Sequence, residues 1–278
     1  KTEKEKFAGA EYTIAIEFLL PNGKIIQGPD VHYDGQIFAK AYDIKFLDKD
    51  EKMKYVYQNT WAITTRMLGV MVAAHSDDKG LIIPPKLAEN KLVIVPILFE
   101  KDKKAVLKKA NELKKQLAEF NPLFDDREGY TPGWKFNEWE LKGIPIRIEI
   151  GPKDIEKKQV VVVRRDTSKK EFIKLKDLNK KLRKLLEDIQ DSLFNNNKKF
   201  VRNSIVSAKD MDELIKALKN KKLADASWCG NQECEDWIKD KTDGAKIIGL
   251  PIAQPKAIGK CVYCNKQSRH QVIIAKSY

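Results

Sequence analysis

Four cysteines carry the clearest chemistry in this sequence. They are spaced Cys229-x4-Cys234, then after a gap of 26 residues Cys261-x2-Cys264, and all lie in the last fifth of the chain. Two close pairs, each on a tight turn, can aim four thiolates at one centre, as in a tetrahedral zinc site. Gly230 and Asn231 supply the first turn, and Asn265 ends the second. With four protein ligands no position is left for water, so such a site would stabilise the fold and take no part in catalysis. The same spacing also suits two buried thiol pairs or disulfides. The lack of cysteine elsewhere points to a reducing compartment and favours the metal. A second group of reactive side chains surrounds one strand. Glu140, Lys142, Arg147, Glu149, Lys153 and Asp154 cluster about Ile144-Pro-Ile-Arg-Ile-Glu-Ile150, where a sheet could present a polar ligand to its rim. The plain alternative is the solvated face of an ordinary sheet. Arg66 and His32 stand alone in sequence, and by themselves read as a surface residue and a loop residue.

The elements that must hold these residues follow from periodicity. Ile144, Ile146, Ile148 and Ile150 fall on one side of a strand and Arg147 and Glu149 on the other, with Gly151-Pro152 as the stop. Upstream, strands are predicted over Tyr12–Leu20, Lys24–Gln27 and Tyr55–Gln58, the first two joined at Pro21-Asn22-Gly23, a hairpin turn signal. Thr64–Ala74 has helical length, and Gly69 within it suggests close helix packing. Lys91–Phe99 reads as a buried strand. Val106, Ala110, Leu113, Leu117 and Phe120 have helical spacing, Gln159–Arg165 contains four consecutive valines, and Leu178, Leu182, Leu185, Ile189 and Leu193 mark a second amphipathic helix. Asn195-Asn196-Asn197-Lys198-Lys199 reads as a linker. Beyond it, Met211, Leu214, Ile215 and Leu218 mark a short helix, and the chain closes on a strand over Gln271–Ala275. The expected division is 1–88, 91–195 and 200–278.

The chain has 278 residues, with 53 Lys and Arg against 40 Asp and Glu, a net charge of +13. A surplus of this size suits a polyanionic partner. The lysines are spread along the chain, so no single patch can be read from sequence. No apolar run approaches the ~20 residues needed to cross a bilayer. The start, Lys1-Thr-Glu-Lys-Glu-Lys6, lacks the apolar core of a signal peptide.

The run Gly133-Trp-Lys-Phe-Asn-Glu-Trp-Glu-Leu-Lys-Gly-Ile-Pro-Ile-Arg-Ile-Glu-Ile-Gly-Pro-Lys-Asp154, preceded by Asp125-Asp126-Arg127 and Tyr130-Thr131-Pro132, resembles the anticodon-binding domain of prolyl-tRNA synthetases of the eukaryotic and archaeal form. The resemblance extends over the whole chain. It implies a remnant of a class II antiparallel-sheet catalytic domain, an α/β anticodon-binding domain with a mixed sheet, and a small α/β zinc-binding C-terminal domain. It matches Glu140, Arg147 and Lys153, and more loosely Lys169, to positions that read the two guanines of proline anticodons. The chemistry suits: Arg and Lys donate to guanine O6 and N7, and a carboxylate accepts from N1 and N2. The run from Thr60 to Ala88 resembles motif 3 of class II synthetases, whose arginine, here Arg66, lies over adenine near the γ-phosphate of ATP. A planar, permanently charged guanidinium suits that role. The resemblance places Gln27, Thr64 and Arg66 on ATP, which brings Mg2+, and Phe7 and His32 near proline. The chain departs from the family pattern at Ala62 and Ser76, where Gly is usual, and at Asp30, where Thr is usual. A carboxylate at Asp30 is expected to oppose a triphosphate. Motifs 1 and 2 are absent, so the chain resembles the C-terminal part of a longer protein and is not expected to be competent alone. The parent is expected to be a cytoplasmic homodimer that attaches proline to its tRNA, with no membrane partner. The alternative is a synthetase-like RNA-binding or regulatory protein that has lost amino-acid activation.

Overall fold

Pro21-Asn22-Gly23 folds the first hairpin by local hydrogen bonding. Leu20 N donates to Lys24 O at 2.9 Å and Lys24 N to Asn22 Oδ1 at 3.1 Å, while Gly23 takes φ +84°. The computed structural model describes residues 1–253 and 259–278. In it this turn joins β1 (Tyr12–Leu19) to β2 (Ile25–Gly35). A bulge at Ile16 faces Gly28 and Pro29, so the proline, which has no N–H, falls where the ladder is already broken. Gln27 lies in a strand as expected, and the strand continues through His32, where a loop was expected. Helix α1 (Ile37–Ala41) follows. The strand expected over Tyr55–Gln58 divides in two. β3 (Lys45–Leu47) pairs with β4 (Met53–Tyr55), and β5 (Gln58–Ala62) pairs with β2, giving a three-stranded antiparallel sheet β1-β2-β5. Helix α2 (Arg66–His75) comes next. Its Gly69 meets no neighbour within 4 Å, so the close packing expected there does not occur.

Residues 71–199 form one compact unit. Its sheet contains β6 (Leu92–Pro96), β7 (Leu123–Phe124), β8 (Ile146–Ile150), β9 (Gln159–Arg164) and β10 (Lys170–Lys174), in the order β10-β9-β8-β6-β7. β7, β6 and β8 are parallel, and β9 and β10 return antiparallel, so the sheet is mixed. Helices α3 (Lys103–Gln116), α4 (Pro132–Leu141) and α5 (Pro152–Glu156) connect the strands. Thr131 caps α4 by accepting from Trp134 N, with Pro132 in the first turn. The isoleucines of β8 and the apolar stripes of α3 and of α6 (Leu178–Ser204) share one core. All five β8 residues are buried. Arg147 and Glu149 therefore do not lie on a solvated face. A central strand is covered on both sides. The expected linker 195–199 is also corrected, because it lies inside α6. The helix penalty of three asparagines is a few tenths of a kcal/mol each, about what a turn of continued backbone hydrogen bonding overrides.

The other unit joins residues 1–70 to 200–278. Its later half contains β11 (Ile205–Ala208), α7 (Met211–Lys219), β12 (Leu223–Trp228), α8 (Gln232–Lys241), β13 (Lys246–Gly249) and β14 (His270–Ala275). The four strands form a mixed sheet in the order β11-β12-β14-β13. Asp210 and Asn231 cap α7 and α8 through Glu213 N and Glu233 N. Leu19 and Ile25 of the first hairpin pack with Leu223, Ile248 and Ala275, so the start and end of the chain share a core.

Asp125 is the strongest electrostatic feature of the 71–199 unit. It is 1% exposed and accepts from Arg127 Nε at 2.9 Å, Arg127 Nη2 at 2.8 Å and Trp139 Nε1 at 2.7 Å. Burial pushes its pKa up, but the Arg127 and Trp139 hydrogen bonds and the Lys135 charge outweigh burial and hold the carboxyl at about 2. A depressed carboxylate stabilises fully above its unfolded value near 4 and ceases to do so as the pH falls through 2, a contribution of about 2 kcal/mol. Denaturant titrations between pH 5 and 2 should therefore show wild type losing about 2 kcal/mol more than Asp125→Asn. Parallel losses would assign the acid sensitivity to another group.

Candidate functional sites

The cysteines converge as their spacing predicts. Cys229 follows β12, Cys234 lies in α8, and Cys261 and Cys264 occupy the turn ahead of β14. All four are free thiols, and their Sγ atoms lie within 4.8 Å of one another, with Cys229–Cys234 at 3.6 Å and Cys264–Cys229 at 3.8 Å. A tetrahedral Zn–S4 centre with bonds of about 2.3 Å has S–S edges of about 3.8 Å, so the donor set fits that ion. Both turns use left-handed backbone. Gly230 takes φ +86° against the His270 ring, and Asn265 takes φ +58° while its N–H donates to Cys261 O at 3.1 Å. Burial pushes the thiols of Cys229 and Cys234 up. The Lys266 N–H holds Cys264 down, at about 7. A bound cation would resolve the conflict by taking all four as thiolates.

A second constellation lies on the β1-β2-β5 sheet. Phe7 stacks on His32 with ring centroids 4.7 Å apart, and His32 Nδ1 lies 2.9 Å from Thr13 Oγ1. On the same strand, Gln27 Nε2 donates to Asp30 Oδ2 at 2.7 Å, and Asp30 Oδ1 lies 3.5 Å from His32 Nε2. Asp30 thus links Gln27 to His32. Its cross-strand partner in β5 is Ala62, so these two departures from the family pattern face each other. Thr64 Oγ1 accepts from Arg66 N at 3.3 Å where α2 begins, and exposed Arg66 donates through Nη1 to Gln27 O at 3.0 Å. Gln27 and Arg66 line a cleft of ≈ 410 Å³ together with Lys1 and its partner Glu17, Lys246 and its partner Glu5, and Tyr278. Ser76 Oγ accepts from Ile82 N at 3.4 Å, a bond glycine could not supply.

The third group centres on Arg147. Its Nε donates to Glu149 Oε1 at 3.0 Å and its Nη1 to Glu140 Oε1 at 3.2 Å, and its guanidinium lies 4.1 Å from the Phe136 ring centroid. Arg147 is buried, whereas the Glu140 side chain keeps 21% exposure. Glu140 is thus the outward member, oriented by an arginine beneath it. Sequence reasoning missed Phe136, although its spacing to Glu140 on α4 is i, i+4, the signal for one helix face. Lys153 is exposed in α5, just past the end of β8. Lys169 precedes β10, in the turn after Arg164, which pairs with Ile146 at the start of β8. Glu140 and Arg147 are brought together, and the two lysines stand at opposite ends of β8.

The family model described as "Anticodon binding domain" matches residues 91–185, and the one described as "Prolyl-tRNA synthetase, C-terminal" matches residues 211–278. The chain is 46% identical over 282 residues to a proline--tRNA ligase of Natranaerobius thermophilus and 42% identical over 278 residues to one of Oceanobacillus iheyensis. It is 45% identical over 279 residues to proline--tRNA ligase 2 of Bacillus thuringiensis (strain Al Hakam). Each alignment covers 100% of this chain and 58% of the relative, so the chain spans less than two thirds of the length of these proteins.

Proposed function

Because the chain belongs to the prolyl-tRNA synthetase family, we propose that it is the C-terminal portion of a ligase that condenses proline with ATP and passes the prolyl group to tRNA(Pro). Residues 1–88 would be the end of a class II catalytic domain, 91–195 the anticodon-binding domain, and 200–278 a zinc-binding domain, in a protein of the eukaryotic and archaeal type. The whole protein would act as a cytoplasmic homodimer. No helix among the described residues is long and apolar enough to cross a membrane.

In this reading Arg66 and Gln27 take ATP, with Thr64 fixing the start of α2 beneath Arg66, and Mg2+ arrives with the triphosphate. Phe7 and His32 flank proline. Cys229, Cys234, Cys261 and Cys264 hold structural zinc. The anticodon guanines meet Glu140, Lys153 and Lys169, and Arg147 acts from below by holding Glu140. The observation that carries the anticodon reading is this Phe136–Arg147–Glu140 stack, because it leaves a carboxylate facing out to accept from guanine N1 and N2.

Binding of the anticodon stem-loop to the chain tests it. Lys153 is exposed, so Lys153→Ala leaves the fold intact. It should weaken the cognate stem-loop by about 1–3 kcal/mol and a stem-loop with both guanines replaced by much less. Equal losses would reduce Lys153 to a phosphate contact. No preference of wild type for the cognate loop would remove the anticodon reading. Proline-dependent pyrophosphate exchange by the whole protein separates the ligase from a relative that has lost activation.

A further inference from the structure

Away from these sites, a groove of ≈ 400 Å³ is rimmed by Lys24, Lys219, Lys221, Lys241, Lys276 and Asp243. Its floor includes Ile215 and Leu218. Five lysines thus line the groove against one aspartate. That carboxylate, Asp243, is committed to Lys276 at 3.1 Å. Lys24 Nζ lies over the Tyr278 ring and Lys241 Nζ over the Trp237 ring, at 4.7 and 5.6 Å from the centroids. Among the described residues no acidic side chain pairs with Lys219 or Lys221, and both are exposed. The ends of α7 and α8 account for Lys219 and Lys241, since cations favour helix carboxyl termini. They do not account for Lys24, ahead of β2, for Lys276, after β14, or for Lys221.

Lys221 is the most telling of the five. It takes φ +57° just beyond α7, a left-handed position that glycine occupies at least cost. The opposite hairpin approaches it closely: a Cβ on Gly23 would run into the Lys221 Cβ and backbone.

We infer that this groove binds the sugar-phosphate backbone of tRNA, at a stretch outside the anticodon loop. Lysines spaced around an apolar floor suit successive phosphates with ribose between them, and the charge imbalance is complementary to a polyanion. The inference rests on the tRNA reading above, and the test keeps the two apart. Binding of a full tRNA(Pro) transcript and of its isolated anticodon stem-loop is measured across a salt series. With the double variant K219E/K221E, affinity for the full transcript should fall on the order of tenfold near 0.1 M salt. The slope of log K against log salt should shrink by about 1.4–1.8, since each phosphate contact contributes about 0.7–0.9. Stem-loop binding should not change. Lys221→Gly relieves the left-handed backbone, so it should keep or raise the melting temperature while lowering the slope by just under one, separating lost contact from lost fold. Unchanged transcript binding by K219E/K221E, with the stem-loop still bound, overturns the groove alone. Equal weakening on both RNAs overturns it in favour of a general field effect. Wild type binding neither RNA overturns the tRNA reading and the groove with it.

Discussion

Cys261→Ser should leave the purified chain without zinc and unfold residues 200–278, while wild type carries close to one equivalent. Cys261 is fully buried within 4.8 Å of three other thiol sulfurs, and serine matches its shape but not its charge as a ligand. Structural zinc contributes on the order of 10–16 kcal/mol in zinc-finger peptides, comparable to the ~5–15 kcal/mol by which whole domains are stable. Near-ultraviolet circular dichroism and metal analysis on the same sample read both effects. Because the ligands must be thiolates, acidification should release the metal and unfold the same segment. Less than about half an equivalent of zinc in untreated wild type would sink the assignment.

The second large effect is expected at Arg66. Its guanidinium donates to Gln27 O at 3.0 Å, it is the first residue of α2, and it lines the cleft of ≈ 410 Å³. In the whole protein, Arg66→Ala should lower proline-dependent pyrophosphate exchange by about 2–4 kcal/mol of transition-state stabilisation. Exchange within about threefold of wild type would give Arg66 another role. Asp30→Thr is the companion measurement. If the carboxylate repels the triphosphate, ATP affinity rises. If it mainly holds Gln27 and His32, as its contacts at 2.7 and 3.5 Å suggest, threonine leaves affinity unchanged or lowers it.

The cysteine cluster was legible in the sequence because the spacing within each pair is a local property: each pair sits on one turn, and a turn's geometry follows from the glycine and asparagine within it. The strand at Ile146–Ile150 and the helices of the 71–199 unit were legible for the same reason, since apolar periodicity is written along the chain. Alternation alone could not say what lies over the polar side of β8. Only the docking of α4 buries Arg147 and sets Phe136 beneath its guanidinium, turning a supposed solvated face into an internal ion pair with Glu140 at the surface. The asparagines at 195–197 looked like a linker because local propensity is weak, and the helix runs through them because continued backbone bonding outweighs it. Asp30 and Ala62 are 32 positions apart in sequence, yet register makes them cross-strand partners. The five lysines of the groove come from four separate places in the chain. Local helix-end preference places Lys219 and Lys241, but only tertiary packing brings them to one groove with Lys24 and Lys276.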